Sequence, residues 1–177
     1  GRTAVATLRT RVLNDDRADK GSSWMSWNVG RSPGAGEAPP PTPGDYLVLG
    51  LILLVASVLR ALDLGSPLWY DEILMLTKSV RLPLGELVSD RFSFNNHPLY
   101  SLQAKTAIAL CGESNQALRL PAALFGVASV AAVWELARRI ADPPRAHVTA
   151  LLVALSYHHI WYSQNARAYT ALMFWFT

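Results

Sequence analysis

Residues 46–62, YLVLGLILLVASVLRAL, form an apolar run with a single charge, Arg60, close to its end. A helix of about 20 apolar residues crosses the hydrocarbon core of a bilayer, and a long cationic side chain near its end can extend to the interface. A secretory signal peptide fits poorly, because 45 residues come before the run and no small-residue cleavage site follows it. The run therefore predicts a transmembrane helix that stays in the membrane, near whose end Arg60 could snorkel.

The rest of the composition agrees with a membrane protein. Charged residues make up 16% of the 177-residue chain, against about 25% in an ordinary soluble domain. Two further apolar stretches, 118–136 and 148–162, predict spans, and another span begins at 168–177. We expect an all-α, polytopic transmembrane protein whose membrane domain covers residues 46–177, preceded by a disordered cytoplasmic tail at 1–45 that is rich in Pro, Gly and Ser.

The arginines predict the orientation. Arg138, Arg139 and Arg145 follow the second apolar stretch, whereas residues 63–117 hold more acids than bases. By the positive-inside rule, the tail and the arginine loop are cytoplasmic and 63–117 is a long external loop. We expect a multi-pass protein of the cytoplasmic (plasma) membrane with its active face outside.

The external loop contains a helix of uncertain placement at Pro98–Cys111. It is apolar but short and includes Gln103 and Lys105. A surface helix fits these features better than a span, although a span remains open. Residues 71–76 and 82–88 also predict short amphipathic helices on the membrane surface.

Other classes of function receive little support. The net charge is +3, but the basic residues are spread over the tail and loops, so nucleic acid is not an expected partner. The single Cys111 excludes an intrachain disulfide and any Cys-based zinc finger. We predict no metal site from the residues and leave a divalent cation open as a cofactor.

Adjacent carboxylates follow the first span. Asp71 and Glu72 come directly after Trp69 and Tyr70, aromatic residues that favour the membrane interface. One interpretation is a catalytic carboxylate acting as a general base towards a hydroxyl. The other is structural: Asp71 caps the next helix and Glu72 lies in its first turn.

Two more residues are candidates for ligand binding. His97 precedes the surface helix and could bind a phosphate, a sugar hydroxyl or a metal, or be an ordinary loop histidine. Arg167 lies near the outer end of the third predicted span, where an arginine facing water can pair with an anion such as a phosphodiester. A snorkelling arginine in an aromatic belt is the alternative.

Taken together, these pieces resemble the integral-membrane glycosyltransferases of the GT-C superfamily, a group that includes dolichyl-phosphate-mannose protein mannosyltransferases, aminoarabinose transferases and RgtA/B/C/D-like transferases. The resemblance covers about three quarters of the chain. Four motifs carry it, in the family's order: Leu68-Trp69-Tyr70-Asp71-Glu72, Asn96-His97-Pro98-Leu99-Tyr100, Ala117-Leu118-Arg119-Leu120-Pro121-Ala122-Ala123-Leu124-Phe125-Gly126 and Trp161-Tyr162-Ser163-Gln164-Asn165-Ala166-Arg167-Ala168-Tyr169.

The resemblance implies a function. Such enzymes transfer a sugar from a polyprenyl-phosphate donor to a hydroxyl of a glycan, lipid or protein acceptor, with inversion, on the outer face of the membrane. Asp71 matches the proposed general base of the family. The resemblance further implies substrate-binding roles for five residues: Glu72, His97, Arg119, Arg167 and Tyr169.

The sequence also departs from the family. Leu99 stands where a second proline is frequent, and Asn165 stands where Glu is frequent, which puts a carboxylate role at 165 in doubt. The chain begins with Gly1 and ends inside an apolar run, so we expect the front part of a longer enzyme that is inactive alone. The alternatives are a ligase or polymerase of lipid-linked glycans, and a non-enzymatic transporter or membrane scaffold.

Overall fold

Helices form all the regular secondary structure in residues 40–89 and 97–177, the parts of the chain that the computed structural model describes, with only the backbone given at 88 and 89. These residues form eight α-helices and one π-helical segment, which confirms the predicted all-α fold. The predicted tail up to residue 39 lies outside the described residues. The helices are α1 (Pro43–Ala61), α2 (Tyr70–Met75), the π-helix (Leu76–Val80), α3 (Leu84–Ser89), α4 (Pro98–Cys111), α5 (Asn115–Ile140), α6 (Pro143–Leu155), α7 (Tyr157–Ser163) and α8 (Tyr169–Phe176).

Helix α1 begins three residues before the predicted span because its first turn is capped. The Asp45 amide donates to Thr42 Oγ1 at 3.3 Å, and the Thr42 amide donates to Asp45 Oδ2 at 2.7 Å. Pro43 occupies the first helical position, where its missing N–H costs nothing. At 19 residues, α1 is about 28 Å long.

Helix α5 is the centre of the bundle. It packs against α1, α4, α6, α7 and α8, and small buried residues such as Ala122, Gly126 and Ser129 let these neighbours approach closely. Its N-cap is Ser114, so it starts before the predicted residue 118. In the described part of the chain, α1 and α5 are the two helices long and apolar enough to cross a membrane.

The third predicted span, 148–162, is not one continuous helix. Helix α6 ends at Leu155, and α7 begins at Tyr157 after an extended Ser156 with ψ 117°. The 13 residues of α6 give a length of about 20 Å, which is shorter than the hydrocarbon core of a bilayer.

Contacts at both ends show that α1 and α5 run antiparallel. Arg119, near the start of α5, donates to the carbonyl of Leu64 just after α1. At the other end the rings of Tyr46 and Trp134 are 5.9 Å apart. The segment from 62 to 114 therefore starts and finishes at one end of the bundle, which favours a surface position for α4 over a crossing.

Arg60 does not snorkel, which the sequence leaves possible, because it is buried among α1, α6 and α7. Its exposed fraction is 1%. The guanidinium donates to the carbonyls of Ala56 and Ala154 at 2.9 and 3.3 Å, and to Ser163 Oγ at 3.2 Å. Its Nη2 also lies 2.6 Å from His159 Nδ1. The guanidinium is thus bound by hydrogen-bond acceptors of the protein instead of reaching the membrane interface.

Candidate active site

A cavity of about 340 Å³ joins two motifs that are roughly 90 residues apart in the chain. One wall comes from the start of α2, and the other from α7 and the turn before α8. The cavity is lined by Trp69, Asp71, Glu72, Trp161, Tyr162, Asn165, Arg167 and Tyr169. Four of the six predicted site residues therefore meet here.

Asp71 and Arg167 face each other at this cavity. Arg167 Nη2 forms an ion pair with Asp71 Oδ2, and Arg167 Nη1 donates to the Tyr169 hydroxyl at 3.2 Å. The Asp71 side chain is 56% exposed and that of Arg167 22%. A carboxylate, a cation and a phenol thus share an accessible surface.

Glu72 is turned the other way and is buried. Its Oε2 accepts from Arg119 Nη2 at 2.6 Å and from the Trp69 amide at 3.0 Å. Its Oε1 accepts from Arg119 Nε at 2.9 Å and from the Ala166 amide at 2.7 Å. Burial opposes ionisation, but these hydrogen bonds prevail and hold the pKa of Glu72 below its usual value.

Arg119 is the partner of Glu72 and ties down the chain between α1 and α2. Besides the carboxylate, it donates to the carbonyls of Leu64, Ser66 and Pro67 at 3.0 to 3.2 Å. The two side chains are 1% and 2% exposed. We therefore propose that Glu72 and Arg119 hold the site in place, in contrast to their predicted binding of substrate, because their hydrogen-bonding groups are already engaged by the protein.

The structural interpretation of Asp71 as a helix cap is wrong. The N-cap of α2 is Trp69, whose amide is bound by the Glu72 side chain, and Asp71 lies in the first turn. The capping role therefore belongs to Glu72. Asp71 is left with Arg167 as its charged partner.

His97 lies beside Arg167 at the start of α4, half-buried, while Asn95 and Asn96 are outside the described residues. Burial and the nearby charge of Arg167 lower the pKa of His97, so the ring is neutral at pH 7. It borders a second, mostly apolar cavity of about 210 Å³. This cavity is lined by His97, Pro98, Leu99, Tyr100, Gln103, Ala168, Ala171, Leu172 and Trp175.

Sequence reasoning singled out Tyr169 but not Trp161 and Tyr162 among the aromatic walls of the first cavity. The Trp161 and Tyr162 rings pack edge to face at 5.0 Å, and the Tyr162 ring lies 4.8 Å from that of Tyr169. The sequence signal for these walls was that Trp161, Tyr162 and Tyr169 stand in one motif. Asn165 is buried and donates to the Trp161 carbonyl at 2.6 Å, so it shapes this wall.

Metal-binding geometry is not found among the described residues. Within 40–89 and 97–177, no three His, Cys, Asp or Glu side chains are grouped so that they could hold an ion. Asp71 and His97 each lie near Arg167.

A protein-family model matches part of this chain. No curated protein sequence and no solved structure is similar to this chain. The matching family model is described as dolichyl-phosphate-mannose-protein mannosyltransferase, and it aligns with residues 95–177. That region includes α4 to α8 and contributes His97, Arg119, Arg167 and Tyr169 to the site. The match confirms the resemblance: the chain is similar to membrane glycosyltransferases of the GT-C type.

Proposed function

We propose that this protein transfers a sugar from a polyprenyl-phosphate donor to the hydroxyl of a glycan, lipid or protein acceptor, at the outer face of the plasma membrane. The observation that carries the proposal is the pairing of Asp71 and Arg167 at one accessible cavity. A carboxylate that can take a proton stands next to a guanidinium that can bind a phosphate. Sugar transfer from a lipid phosphate needs both groups.

In the proposed reaction, Asp71 acts as the general base. One of its carboxylate oxygens takes the proton of the acceptor hydroxyl while the hydroxyl oxygen forms a bond to the anomeric carbon. The bond between that carbon and the phosphate oxygen breaks, and its electron pair leaves with the phosphate. Attack opposite to the leaving group inverts the anomeric centre. The positive charge of Arg167 stabilises the charge that develops on the phosphate.

The walls of the two cavities suit the parts of such a donor. Trp161, Tyr162 and Tyr169 offer faces and edges on which the apolar surface of a sugar ring can pack. The second cavity is mainly apolar, with Leu99, Leu172 and Trp175 in its lining, and it suits the first isoprene units of the lipid. His97 borders this cavity and, being neutral, can donate one hydrogen bond to the phosphate.

The buried pair of Glu72 and Arg119 supports this reaction by holding the reacting groups in position. Glu72 follows Asp71 directly, and its Oε1 holds the amide of Ala166, which precedes Arg167. One side chain therefore fixes the two chain segments that present the base and the phosphate ligand. Such support is what keeps reacting groups within the narrow tolerance that catalysis needs.

The decisive experiment measures transfer by Asp71→Asn in the full-length protein embedded in membranes. Polyprenyl-phosphate mannose is the first labelled donor, followed by other hexoses and pentoses. Loss of a general base costs about 10² to 10⁴ in rate, so transfer should collapse while membrane insertion persists. Asp63→Asn is the matched control, since Asp63 is an exposed acid outside both cavities, and it should keep normal transfer.

The remaining outcomes separate the alternatives. Near-normal transfer by Asp71→Asn would exclude Asp71 as the base. A ligase or polymerase of lipid-linked glycans would move a whole glycan rather than a single sugar from the donor. No transfer from any donor by the full-length wild-type protein would favour a transporter or a scaffold.

A further inference from the structure

We propose that Asp71 and the donor's phosphate compete for Arg167, and that the phosphate releases Asp71 by replacing it on Arg167. This inference rests on the proposed function and adds an order to it. The Oδ2 atom of the carboxylate becomes available for a hydroxyl proton only after the phosphate has bound. Donor binding therefore precedes activation of the acceptor by this oxygen.

The geometry makes the two anions competitors for one cation. Arg167 Nη2 is bonded to Asp71 Oδ2, and Nη1 is bonded to the Tyr169 hydroxyl. Glu72 is the other carboxylate in the cavity lining, and Arg119, Trp69 and Ala166 already engage it. Arg167 is thus the cation at this cavity whose bonds a phosphate can take over.

The present pairing also keeps the Oδ2 atom of Asp71 from acting as a base. A carboxylate oxygen that accepts a charged hydrogen bond from a guanidinium has that lone pair engaged and cannot take a proton there. Removing Arg167 from the carboxylate frees the oxygen at the cavity. The structure thus places the base and its blocking group in a single contact.

The exchange is favourable because the contact is accessible. Exposed ion pairs are weak, since water solvates both partners and screens the attraction. A phosphate monoanion or dianion offers several strong acceptor oxygens, and arginine binds it through two parallel hydrogen bonds. The adjacent apolar cavity adds contacts for the lipid chain that Asp71 does not provide.

The test is a double-mutant cycle on binding of labelled polyprenyl phosphate, without a sugar, to the protein in lipid nanodiscs. Removing the competitor with Asp71→Asn should tighten binding about two- to fivefold, the size expected for an exposed ion pair. Asp63→Asn, the same change outside both cavities, should leave the affinity unchanged. In an Arg167→Gln background, Asp71→Asn should give no gain, because the two anions no longer compete.

Each result decides something. Unchanged or weaker binding by Asp71→Asn overturns the exchange. A gain that persists in Arg167→Gln also overturns it, since that gain reflects general repulsion between anions. If Arg167→Gln abolishes binding and Asp71→Asn tightens it, the exchange is supported, because Arg167 is then the shared cation. Loss of transfer in Asp71→Asn with unaltered binding removes this inference alone, whereas normal transfer removes the proposed function.

Discussion

Two ion pairs built from neighbouring residues behave in opposite ways in this protein. Asp71 pairs with Arg167 at an open cavity, and Glu72 pairs with Arg119 in the interior. Consecutive helical residues point about 100° apart, so one turn of α2 faces both environments. The same chemistry, a carboxylate with a guanidinium, serves here in one pair that a ligand can separate and in another that the fold needs intact.

The surroundings of each pair explain the difference. Glu72 accepts four hydrogen bonds, two of them from backbone amides, and is 2% exposed. Removing one partner of a buried pair leaves a desolvated charge without compensation. Asp71 is more than half exposed, and water can replace its partner at little cost.

The largest expected effect comes from Glu72→Gln. It leaves the Arg119 charge buried without a counter-ion, so the free energy of unfolding should fall by about 3–5 kcal/mol. Asp71→Asn breaks the exposed pair and should cost less than about 1 kcal/mol. Thermal and denaturant unfolding of both variants in the same detergent, beside the wild type, measures the contrast.

Equal losses in the two variants would remove the distinction between a structural and a functional pair.

The double variant Glu72→Met with Arg119→Met tests whether the uncompensated charge causes the loss of stability in Glu72→Gln. Removing both charges abolishes the uncompensated cation, so the double variant should be more stable than Glu72→Gln. Failure to recover any stability would mean that the bonds from Arg119 to the carbonyls of Leu64, Ser66 and Pro67 dominate.

The second expected effect concerns the packing of Gly126 in α5 against Ser163 and Arg60. A Cβ on Gly126 of α5 would lie 2.2 Å from Ser163 Oγ and 3.0 Å from Arg60 Nε. Gly126→Ala therefore forces α7 or Arg60 to move, at about 1–3 kcal/mol of stability. We expect the shift to reach the turn with Arg167, which follows α7, and to lower affinity for polyprenyl phosphate as well.

Gly50→Ala is the matched control for Gly126→Ala. Nothing lies within 4 Å of a Cβ at Gly50 in α1, and alanine favours a helix interior over glycine by about 1 kcal/mol. This variant should be as stable as the wild type or more so, with unaltered lipid binding. A loss in both variants would show that glycine matters for α1 and α5 through flexibility rather than through contact with Ser163.

How far the sequence reveals this arrangement depends on the range of the interactions. Helices α1 and α5 follow from local patterns, an apolar run and a cap at Thr42 or Ser114. The break at Ser156 has no local signal such as Pro or Gly. The structure shows the carbonyl of Ala154 accepting from Arg60, a contact across 94 positions. Tertiary bonding thus ends α6 where hydropathy alone continues it.

The site shows the same limit. The four charged residues could be named from the sequence, because two carboxylates and two arginines stand in recognisable motifs. Their pairing could not be predicted from the sequence, since Glu72 and Arg119 are 47 positions apart. Spacing alone allows Asp71 to pair with either arginine. The burial of each side chain determines which carboxylate pairs with which arginine, and this burial depends on how α2 lies against α5. The buried carboxylate of Glu72 pairs with the buried guanidinium of Arg119.

The smallest expected effect is the dependence of stability on pH in the acid range. The pKa of Glu72 is lower in the folded protein than its ordinary value of 4.5. Its ionised form is thus favoured by folding, and its contribution to stability is complete above pH 4.5. The contribution declines as the pH falls below 4.5 through the folded pKa, because folding then requires the release of a proton. Unfolding measured from pH 6 to pH 3 should therefore show the wild type approaching Glu72→Gln in stability. A constant difference between the two over this range would mean that the charge of Glu72 is not what stabilises the buried pair.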